Sequence, residues 1–341
     1  MAIRNQYIDY IKGITIILVI IPHCIQYGSG ADYLNNCLFY DNPIFKFIYT
    51  FHMPVFMIIS GYLFKYTINR HSFNDIVKSR VTTLLIPIIL WHSIYIFIDN
   101  YIIGQGNFSD IYWGSYLKFL WFLWAVLWNS FIVLSIHRFA NDSFIVYASV
   151  FLLLLCVPHR YNSNYYVFMY PYFLCGYLIN NQTNSIIKRL ISKLSTPLYT
   201  IIISVTFFAL LAIYSREDYV YVSKTDVIIG RHISSHMLLV NLYRWAIGFV
   251  GSFLFFRITH SIYHRFTGHI TNIFFVDLGT RTMGIYIISD YTFRFFYLLP
   301  IKFPNYFFIT IEIICVLGLS FFITWIIERN NYARKYLLGG R

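Results

Sequence analysis

The stretch YIDYIKGITIILVIIPHCIQYG, residues 7–28, decides the class of this protein. It is long enough to cross a bilayer, because about 20 mostly apolar residues at about 1.5 Å each span a hydrocarbon core of about 30 Å. Its charged residues Asp9 and Lys12 come first, Pro22 and His23 lie inside it, and no small-residue cleavage site follows. The stretch therefore predicts a membrane-spanning helix and not a cleaved signal peptide.

The composition extends this prediction to the whole chain of 341 residues. Apolar residues make up 58%, aromatic residues 21% and charged residues only 12%. A soluble domain carries about 25% charged residues, so half that share cannot cover a surface that faces water. We therefore predict a polytopic membrane protein, and we exclude a disordered chain, a disulfide scaffold and a nucleic-acid-binding module. The net charge of +12 comes from basic residues between apolar stretches, a pattern typical of membrane topology.

Reading for spans of sufficient length predicts an all-α, polytopic membrane helix bundle with about ten transmembrane helices. The stretches lie near residues 10–28, 44–64, 82–99, 114–136, 143–158, 165–180, 198–214, 236–256, 273–296 and 306–327. The fifth and sixth are short, and the ninth contains three charged residues. No internal repeat and no long linker divides the chain, so residues 1–341 are predicted to form a single integral-membrane domain.

The distribution of basic residues predicts the orientation of these spans. Loops and span edges on the side of the N-terminus carry 17 Lys and Arg residues, and those on the other side carry 7. By the positive-inside rule, both termini are predicted to be cytoplasmic. The chain is accordingly expected to be a multi-pass protein of the inner, cytoplasmic membrane.

Polar residues form a stripe along the first span. At 100° per residue, Asp9, Lys12, Thr15, His23 and Gln26 fall within an arc of about 120° on one helix face. Lys12 and His23 lie about 16 Å apart along the axis, with Lys12 at the cytoplasmic rim. Ionisable groups at bilayer depth are costly and mark functional sites by default, so His23 becomes the leading catalytic candidate. The alternative is a histidine hydrogen-bonded only for packing. Pro22 also predicts a bend in the helix before His23.

Further polar groups are predicted at the same depth, in the outer half of the membrane. They are His52, Arg244, Asp290 and Glu312. They either contact a substrate, or Asp290, Glu312 and the nearby Arg294 form structural ion pairs with Arg244, and the sequence leaves both readings open. Trp121 and Trp124 are similarly either residues of the interfacial aromatic belt or the wall of a substrate cavity.

Basic residues at the cytoplasmic edge form a second candidate site. Lys78 and Arg80 precede the third predicted span, which we expect Pro87 to break. Such residues either set topology and contact lipid or bind an anionic ligand. His260 and His264 have i, i+4 spacing, but they are predicted in a basic inner loop without an acidic residue, so no metal site is predicted.

Five motifs in order resemble the acyltransferase type-3 family of membrane acyltransferases. They are Tyr7–Ile14 followed by His23, Phe51–Phe56 leading to Ser60–Phe64, Leu120–Leu123, Pro171–Tyr177 and Leu278–Tyr286. The resemblance runs from about residue 4 to residue 327. The chain departs from the family pattern where Lys12 replaces the more frequent Arg, where Thr83 replaces a second basic residue after Arg80, and where Ser289 replaces a frequent His.

The resemblance implies transfer of an acyl group, usually acetyl, from cytoplasmic acetyl-CoA to a hydroxyl of a cell-surface or lipid-linked saccharide. It implies a general base at His23, which a neutral imidazole near working pH can supply. The roles that follow count Asp9 and Glu312 with His23 as catalytic residues. They assign Lys12, Arg80 and Lys78 to the CoA phosphates, and Trp121, Trp124, His52, Arg244 and Asp290 to the saccharide. Acetyl-CoA is the expected co-substrate, with no metal. The expected partners are the saccharide and membrane lipids, without nucleic acid, and a homo-oligomer is left open.

Two other readings of the sequence compete with acyl transfer. A transporter or flippase for a glycan precursor would also contain broken helices and charges at the membrane midplane. Such a protein has no reason to bind acetyl-CoA. A non-catalytic scaffold of an envelope assembly is the third reading, and it predicts that His23→Ala leaves the phenotype intact.

Overall fold

The computed structural model describes residues 5–28, 38–98, 119–156, 163–180, 196–229, 232–266, 270–298 and 306–340, and these are mainly helical. The helices are α1 (Gln6–Gly28), α2 (Leu38–Asp41), α3 (Pro43–Tyr49), α4 (His52–Ile68), α5 (Phe73–Arg80), α6 (Ile86–Phe97), α7 (Trp121–Ala140), α8 (Phe144–Cys156), α9 (Ser163–Ile179), α10 (Pro197–Ile213), α11 (Ser235–Arg265), α12 (Ile270–Thr280), α13 (Thr282–Leu298), α14 (Tyr306–Glu328) and α15 (Asn331–Leu337). Two short strands, β1 (Ile228–Ile229) and β2 (His232–Ile233), pair antiparallel.

The predicted all-α membrane fold is confirmed. Six segments of the described residues are long and apolar enough to cross a membrane: Gln6–Gln26, Pro43–Ile68, Phe73–Phe97, Trp121–Ala140, Ser235–Arg265 and Tyr306–Glu328. Two shorter apolar helices are Phe144–Cys156 and Pro197–Ile213. The count of ten spans stays a prediction.

Two predicted spans are interrupted where the sequence suggested continuous helices. The second is divided at Thr50 and Phe51, so that α4 begins at His52. The ninth consists of two helices, α12 and α13, that meet at Arg281. Gly279 and the β-branched residues on both sides of Arg281 have low helix propensity, and the backbone turns there with Arg281 N donating to Leu278 O at 3.0 Å.

The third predicted span, in contrast, is continuous where we expected a break. Pro87 does not break it, because helical structure runs from Phe73 to Phe97. A π-helical segment, Val81–Leu85, joins α5 to α6. Pro87 follows this segment in the first turn of α6, where a missing N–H group is least costly.

The helix of the eighth predicted span is longer than predicted. Helix α11 continues to Arg265, so His260 and His264 lie on a helix and not in an inner loop. Tyr7 of α1 packs against both, with ring centroids 5.4 Å from His260 and 6.4 Å from His264. The imidazoles therefore take part in aromatic packing against α1.

The contacts divide the chain into two compact units, each built from three separate stretches. The first unit comprises Met1–Phe56, Asn184–Arg216 and Ala246–Ile326, and the second comprises Met57–Thr183, Glu217–Trp245 and Ile327–Arg341. The expectation of a single domain stays a prediction.

In the first unit, α1 and α12 touch backbone to backbone. A Cβ atom added at Gly13 would overlap the carbonyl oxygen of Phe275, and one added at Gly279 would overlap that of Asp9. Small residues allow this approach, which drives helix association in lipid, where burial of apolar side chains gives little gain.

The second unit contains an equivalent crossing of α4 and α9. A Cβ atom at Gly61 would overlap the Phe173 carbonyl oxygen, and one at Gly176 would overlap that of Ile58. Asn180 strengthens the crossing, because its Nδ2 donates to Tyr62 O at 2.7 Å. Each unit is therefore organised around one helix pair that meets at two glycines.

The first prediction tests the α1–α12 crossing. Gly279→Ala should destabilise the protein by about 1–3 kcal/mol, because the new methyl group meets a backbone carbonyl that cannot move away by rotating a side chain. The measurement is thermal unfolding of the purified protein in detergent. The control is Gly318→Ala on α14, where nothing lies within 4 Å of an added Cβ and the change should be neutral or stabilising by up to about 1 kcal/mol. Equal melting temperatures for the two variants would contradict close packing at Gly279.

Candidate functional site

The predicted polar stripe lies on one continuous helix, α1, which contains Pro22. Along this face Asp9, Thr15 and Gln26 are buried, whereas Lys12 and His23 are half-buried. The ammonium group of Lys12 lies 3.2 Å from Asp9 Oδ1. Asp9 thus holds the Lys12 side chain along the helix and offsets part of its charge.

The His23 ring is held from two sides. Gln26, one turn later on the same helix face, is a polar neighbour of the His23 side chain. Phe293 of α13 packs against the imidazole with ring centroids 5.0 Å apart. Since His23 is half-buried, the ring is fixed in orientation while part of its surface stays accessible.

His52 is a neighbour of His23 in the same unit. The two imidazoles interact electrostatically, and His52 is 2% exposed. Its Nδ1 lies 2.9 Å from the carbonyl oxygen of Ile48. A carbonyl only accepts, so Nδ1 carries the hydrogen and the lone pair of the neutral ring is on Nε2. The break between α3 and α4 places His52 at the start of a helix, which the sequence did not indicate.

Both predicted carboxylates also belong to this unit. Glu312 of α14 is buried and interacts electrostatically with Cys24, the residue after His23. Asp290 of α13 is exposed and lies three residues before Phe293, the residue that contacts His23. The structure thus brings His23, His52 and Glu312 into one region of the first unit.

Arg281 is one of the charged residues in the ninth predicted span and was not among the predicted site residues. It lies in the turn between α12 and α13, beside Gly279, which packs against the backbone of Asp9. Arg281 pairs with Asp277, and its Cζ lies 5.1 Å from the ring centroid of Phe321. The two glycines of LGTRTMG, residues 278–284, were the sequence signal for this break.

In the second unit, Arg80 and Lys78 end helix α5. Arg80 is buried, and its Cζ lies 4.5 Å from the ring centroid of Phe64. This distance and position are those of a cation–π contact. Lys78 is exposed.

Aromatic rings of the second unit form a row that begins at Trp121, and we call it the aromatic row. Trp121 and Tyr165 have ring centroids 5.1 Å apart, Tyr165 and Tyr221 6.4 Å, and Tyr221 and Tyr219 6.2 Å. Trp121, Tyr165 and Tyr221 are half-buried, as is Trp124. By the predicted topology the row lies at the outer ends of α7 and α9.

Arg244 shapes the loop that carries part of this row. Its guanidinium donates to five backbone carbonyls, those of Glu217, Asp218, Tyr219, Ser223 and Lys224, and to Asn241 Oδ1, at 2.7–3.3 Å. A guanidinium has five N–H groups, so these six acceptors engage the whole fork. A direct contact between Arg244 and a saccharide would have to displace one of them.

A cluster centred on Asp142 joins four helices of the second unit. Lys65 Nζ lies 3.0 Å from Asp142 Oδ2, His137 Nδ1 lies 2.9 Å from the same atom, and Tyr147 and Tyr177 donate to Oδ1 at 2.7 and 2.9 Å. Burial raises the pKa of the Asp142 carboxyl group, but these donors outweigh it and lower the pKa to about 2. Its members are far apart in the sequence, so no motif indicated the cluster.

Within the part of the chain that the structure describes, no group of three or more His, Cys, Asp or Glu side chains is placed to hold a metal ion. The polar groups of the first unit are instead suited to proton transfer. An accessible imidazole, a second imidazole with a defined tautomer and a buried carboxyl group are the components that such a reaction uses.

Comparison with known proteins identifies a family that this chain matches. The model of a family described as "Acyltransferase domain" matches residues 5–329. Nodulation protein NolL of Sinorhizobium fredii is 34% identical over 200 residues, which cover 54% of this chain and 52% of that protein, so the chain spans about half the length of this relative. NolL of Mesorhizobium japonicum is 26% identical over 306 residues, 85% of this chain and 77% of that protein. No solved structure matches the chain.

The second prediction concerns the Asp142 cluster. Asp142→Asn leaves the buried Lys65 ammonium without its carboxylate and should destabilise the protein by about 2–3 kcal/mol, less than a fully buried pair because Asp142 is partly exposed. The measurement is thermal unfolding in detergent at pH 7. Glu217→Gln is the control, since the Glu217 side chain is 62% exposed, and it should change stability by less than about 0.5 kcal/mol.

The pH dependence of the wild-type protein follows from the same group. A lowered pKa means that the carboxylate stabilises the fold above its ordinary value of 3.8, and that this stabilisation is lost as the pH falls towards about 2. The Asp142→Asn variant should therefore lose less stability than the wild type over that pH range. Identical acid unfolding curves for the variant and the wild type would contradict this role.

Proposed function

This chain belongs to the acyltransferase domain family, and from that membership we propose that it moves an acetyl group from cytoplasmic acetyl-CoA to a hydroxyl of a cell-surface or lipid-linked saccharide. The family establishes an acyltransferase in a multi-pass membrane protein. The donor, the acceptor, the inner membrane as location and the roles of individual residues are our proposal. The single observation that supports it most is the face of α1, where Lys12 and His23 lie half-buried along one helix.

In this proposal His23 is the general base. The acceptor hydroxyl gives its proton to the neutral imidazole while its oxygen attacks the thioester carbonyl carbon. The carbon–sulfur bond then breaks, and the imidazolium returns the proton to the CoA thiolate. General-base catalysis contributes roughly 10²–10⁴-fold. Gln26 and Phe293 support this role because they hold the ring in one orientation.

Lys12 and Asp9 serve the donor in the proposed reaction. By the predicted topology they lie at the cytoplasmic end of α1, and the thioester must reach His23 about 16 Å further along the helix. Asp9 holds the Lys12 ammonium 3.2 Å from its own Oδ1, so that the cation remains on the polar face. Lys78 and Arg80 are the candidate donor contacts in the second unit.

Each unit by itself carries candidate contacts for the acceptor, on the outer side by the predicted topology. In the first unit, Glu312 and Asp290 provide carboxyl oxygens that accept hydrogen bonds from sugar hydroxyls, and His52 offers Nε2. In the second unit, the aromatic row from Trp121 offers ring faces against which sugar rings pack, with Trp124 nearby on the same helix. Arg244 acts here by holding the loop of Tyr219 and Tyr221, and not by direct contact.

The interruptions at Thr50–Phe51 and at Arg281 favour one alternative, a glycan transporter, because broken helices line the substrate sites of many transporters. Such a protein would move the saccharide without acetyl-CoA. Comparing the surface glycan by mass spectrometry with and without the gene separates the two. Loss of acetyl groups from an otherwise complete glycan supports acyl transfer, and loss of the glycan itself supports transport.

The third prediction is that His23→Ala abolishes acetylation. The variant should insert and fold normally but lose at least about 100-fold in turnover, the lower end of general-base catalysis. Acetyl transfer from labelled acetyl-CoA to membrane saccharides is the readout. His71→Ala is the control, because His71 is exposed outside the predicted spans, and it should retain full activity. A folded His23→Ala protein with more than about a tenth of wild-type turnover would exclude His23 as the base.

The fourth prediction assigns Glu312. Glu312→Gln keeps the size of the side chain but removes its negative charge. If the carboxylate orients His23 or binds sugar hydroxyls, turnover should be slower in the variant. We expect acetylation to fall about tenfold or more, the factor for one lost hydrogen bond to a charged group. Acceptor saturation curves are the measurement. Wild-type kinetics would restrict Glu312 to a structural role.

A further inference from the structure

The C-terminal segment Asn331–Gly340 is attached to the third predicted span, and we call it the C-terminal strap. Trp91 of α6 donates through Nε1 to the carbonyl oxygen of Leu337 at 2.8 Å. Gly339 packs so closely on the backbone of Thr83 that an added Cβ would overlap the Thr83 carbonyl oxygen. Gly339 and Gly340 have φ values of 68° and 74°, which glycine adopts without strain. Backbone geometry therefore fixes the strap at this place.

The strap packs on a segment that has an unusual backbone conformation. Thr83 is the middle residue of the π-helical segment Val81–Leu85, which begins directly after Arg80. Pro87 cannot donate to Thr83 O, the acceptor four residues earlier, because proline has no N–H group. Single-turn π segments are rare and frequently lie at functional sites. The strap therefore contacts the span one turn after the basic end of α5.

The strap carries two further cations on α15, which packs against the π segment and α6. Arg334 and Lys335 of α15 are exposed. Arg334 contacts Asn331 Oδ1 at 3.4 Å, and Lys335 Nζ lies 5.3 Å from the ring centroid of Tyr336. No ion pair within the described residues involves either cation, and residues 329–341 contain no Asp or Glu. The charge on the strap is therefore not neutralised by the strap itself.

The backbone path between these cations and Thr83 is short. An added Cβ at Gly340 would lie 3.8 Å from the Cα of Lys335, and Gly339, the residue before it, contacts Thr83. The strap also follows α14 directly, so by the predicted topology it lies at the cytoplasmic surface, on the same side as Lys78 and Arg80. Within the second unit, Lys78 and Arg80 therefore precede the π segment in the chain, and the strap that carries Arg334 and Lys335 packs on it.

We propose that Arg334 and Lys335 bind phosphate groups of the acyl donor, so that the strap completes an anion site with Lys78 and Arg80. This inference rests on the proposed function, because it takes acyl-CoA as the donor. Arg binds phosphate through two parallel hydrogen bonds and Lys binds it as a point charge, so the pair suits a ligand with several phosphates. Anionic lipid headgroups offer the same chemistry, and the experiment is designed to separate the two sources.

The test is CoA affinity, measured by calorimetry on the full chain in detergent. The double variant R334Q/K335Q should bind CoA about tenfold more weakly than the wild type, since charged hydrogen bonds to phosphate are lost. The charge-preserving variant R334K/K335R should bind about as well as the wild type. Arg70→Gln is the control for the loss of a positive charge elsewhere. Arg70 is exposed and precedes α5, at the end away from Arg80.

Two further measurements keep the inference testable if the double variant does not fold. In the wild-type protein, CoA should protect Lys335 from an amine-reactive reagent, whereas pantetheine, which has no phosphate, should not. In nanodiscs, the weaker CoA binding of R334Q/K335Q should be the same with phosphatidylcholine alone and with added phosphatidylglycerol. A defect that appears only with the anionic lipid would assign the strap to lipid headgroups and overturn the inference.

The outcomes also separate this inference from the proposed function. Unchanged CoA affinity in R334Q/K335Q, or no protection of Lys335, would overturn the role of the strap while acyl transfer from CoA stands. A wild-type protein that does not bind CoA would overturn both. A weaker affinity in R334Q/K335Q together with normal binding by R334K/K335R and Arg70→Gln supports the strap as part of the donor site.

Discussion

Backbone contact between α1 and α12 is the constraint on which the first unit depends. In lipid, apolar side chains gain little by packing against each other, so helices associate where small residues let their backbones meet. Gly13 and Gly279 provide this contact, and two consequences follow for the site. The turn at Arg281 is held beside Asp9, and α13 starts from that turn and brings Phe293 to the His23 ring. The same two glycines therefore set both ends of the polar face of α1.

Three cations lie beside groups that offset the cost of their burial. Lys12 lies against Asp9, Lys65 against Asp142, and Arg244 of α11 against carbonyl oxygens of the preceding loop. Burial of such groups without partners would cost several kcal/mol each. His23 differs from these cations, because its imidazole carries no charge when neutral. In the proposed reaction, this difference allows His23 to accept a proton from the substrate.

The sequence predicted the helical class and the stripe on α1 because both depend on local patterns, namely apolar length and a repeat of about 3.6 residues. It did not predict the turn at Arg281, the start of α4 at His52 or the π segment after Arg80. Those features depend on which backbone lies alongside, as Gly279 against Asp9 and Gly339 against Thr83 show. The Asp142 cluster and the contacts of Arg244 join residues distant in the sequence, so no spacing rule indicates them. The roles of the individual site residues stay predictions.

The contacts of Arg244 affect how the loop of residues 217–224 responds to its surroundings. The six acceptors around its guanidinium are neutral carbonyl and amide oxygens. Neither they nor an arginine change protonation between mildly acidic and mildly alkaline conditions, and buried contacts of this kind are little screened by salt. By the predicted topology this loop faces a medium whose acidity and osmotic strength the cell does not control. The loop can therefore keep one shape in dilute, saline or mildly acidic surroundings, and the acceptor recognition proposed above would then tolerate changes of habitat.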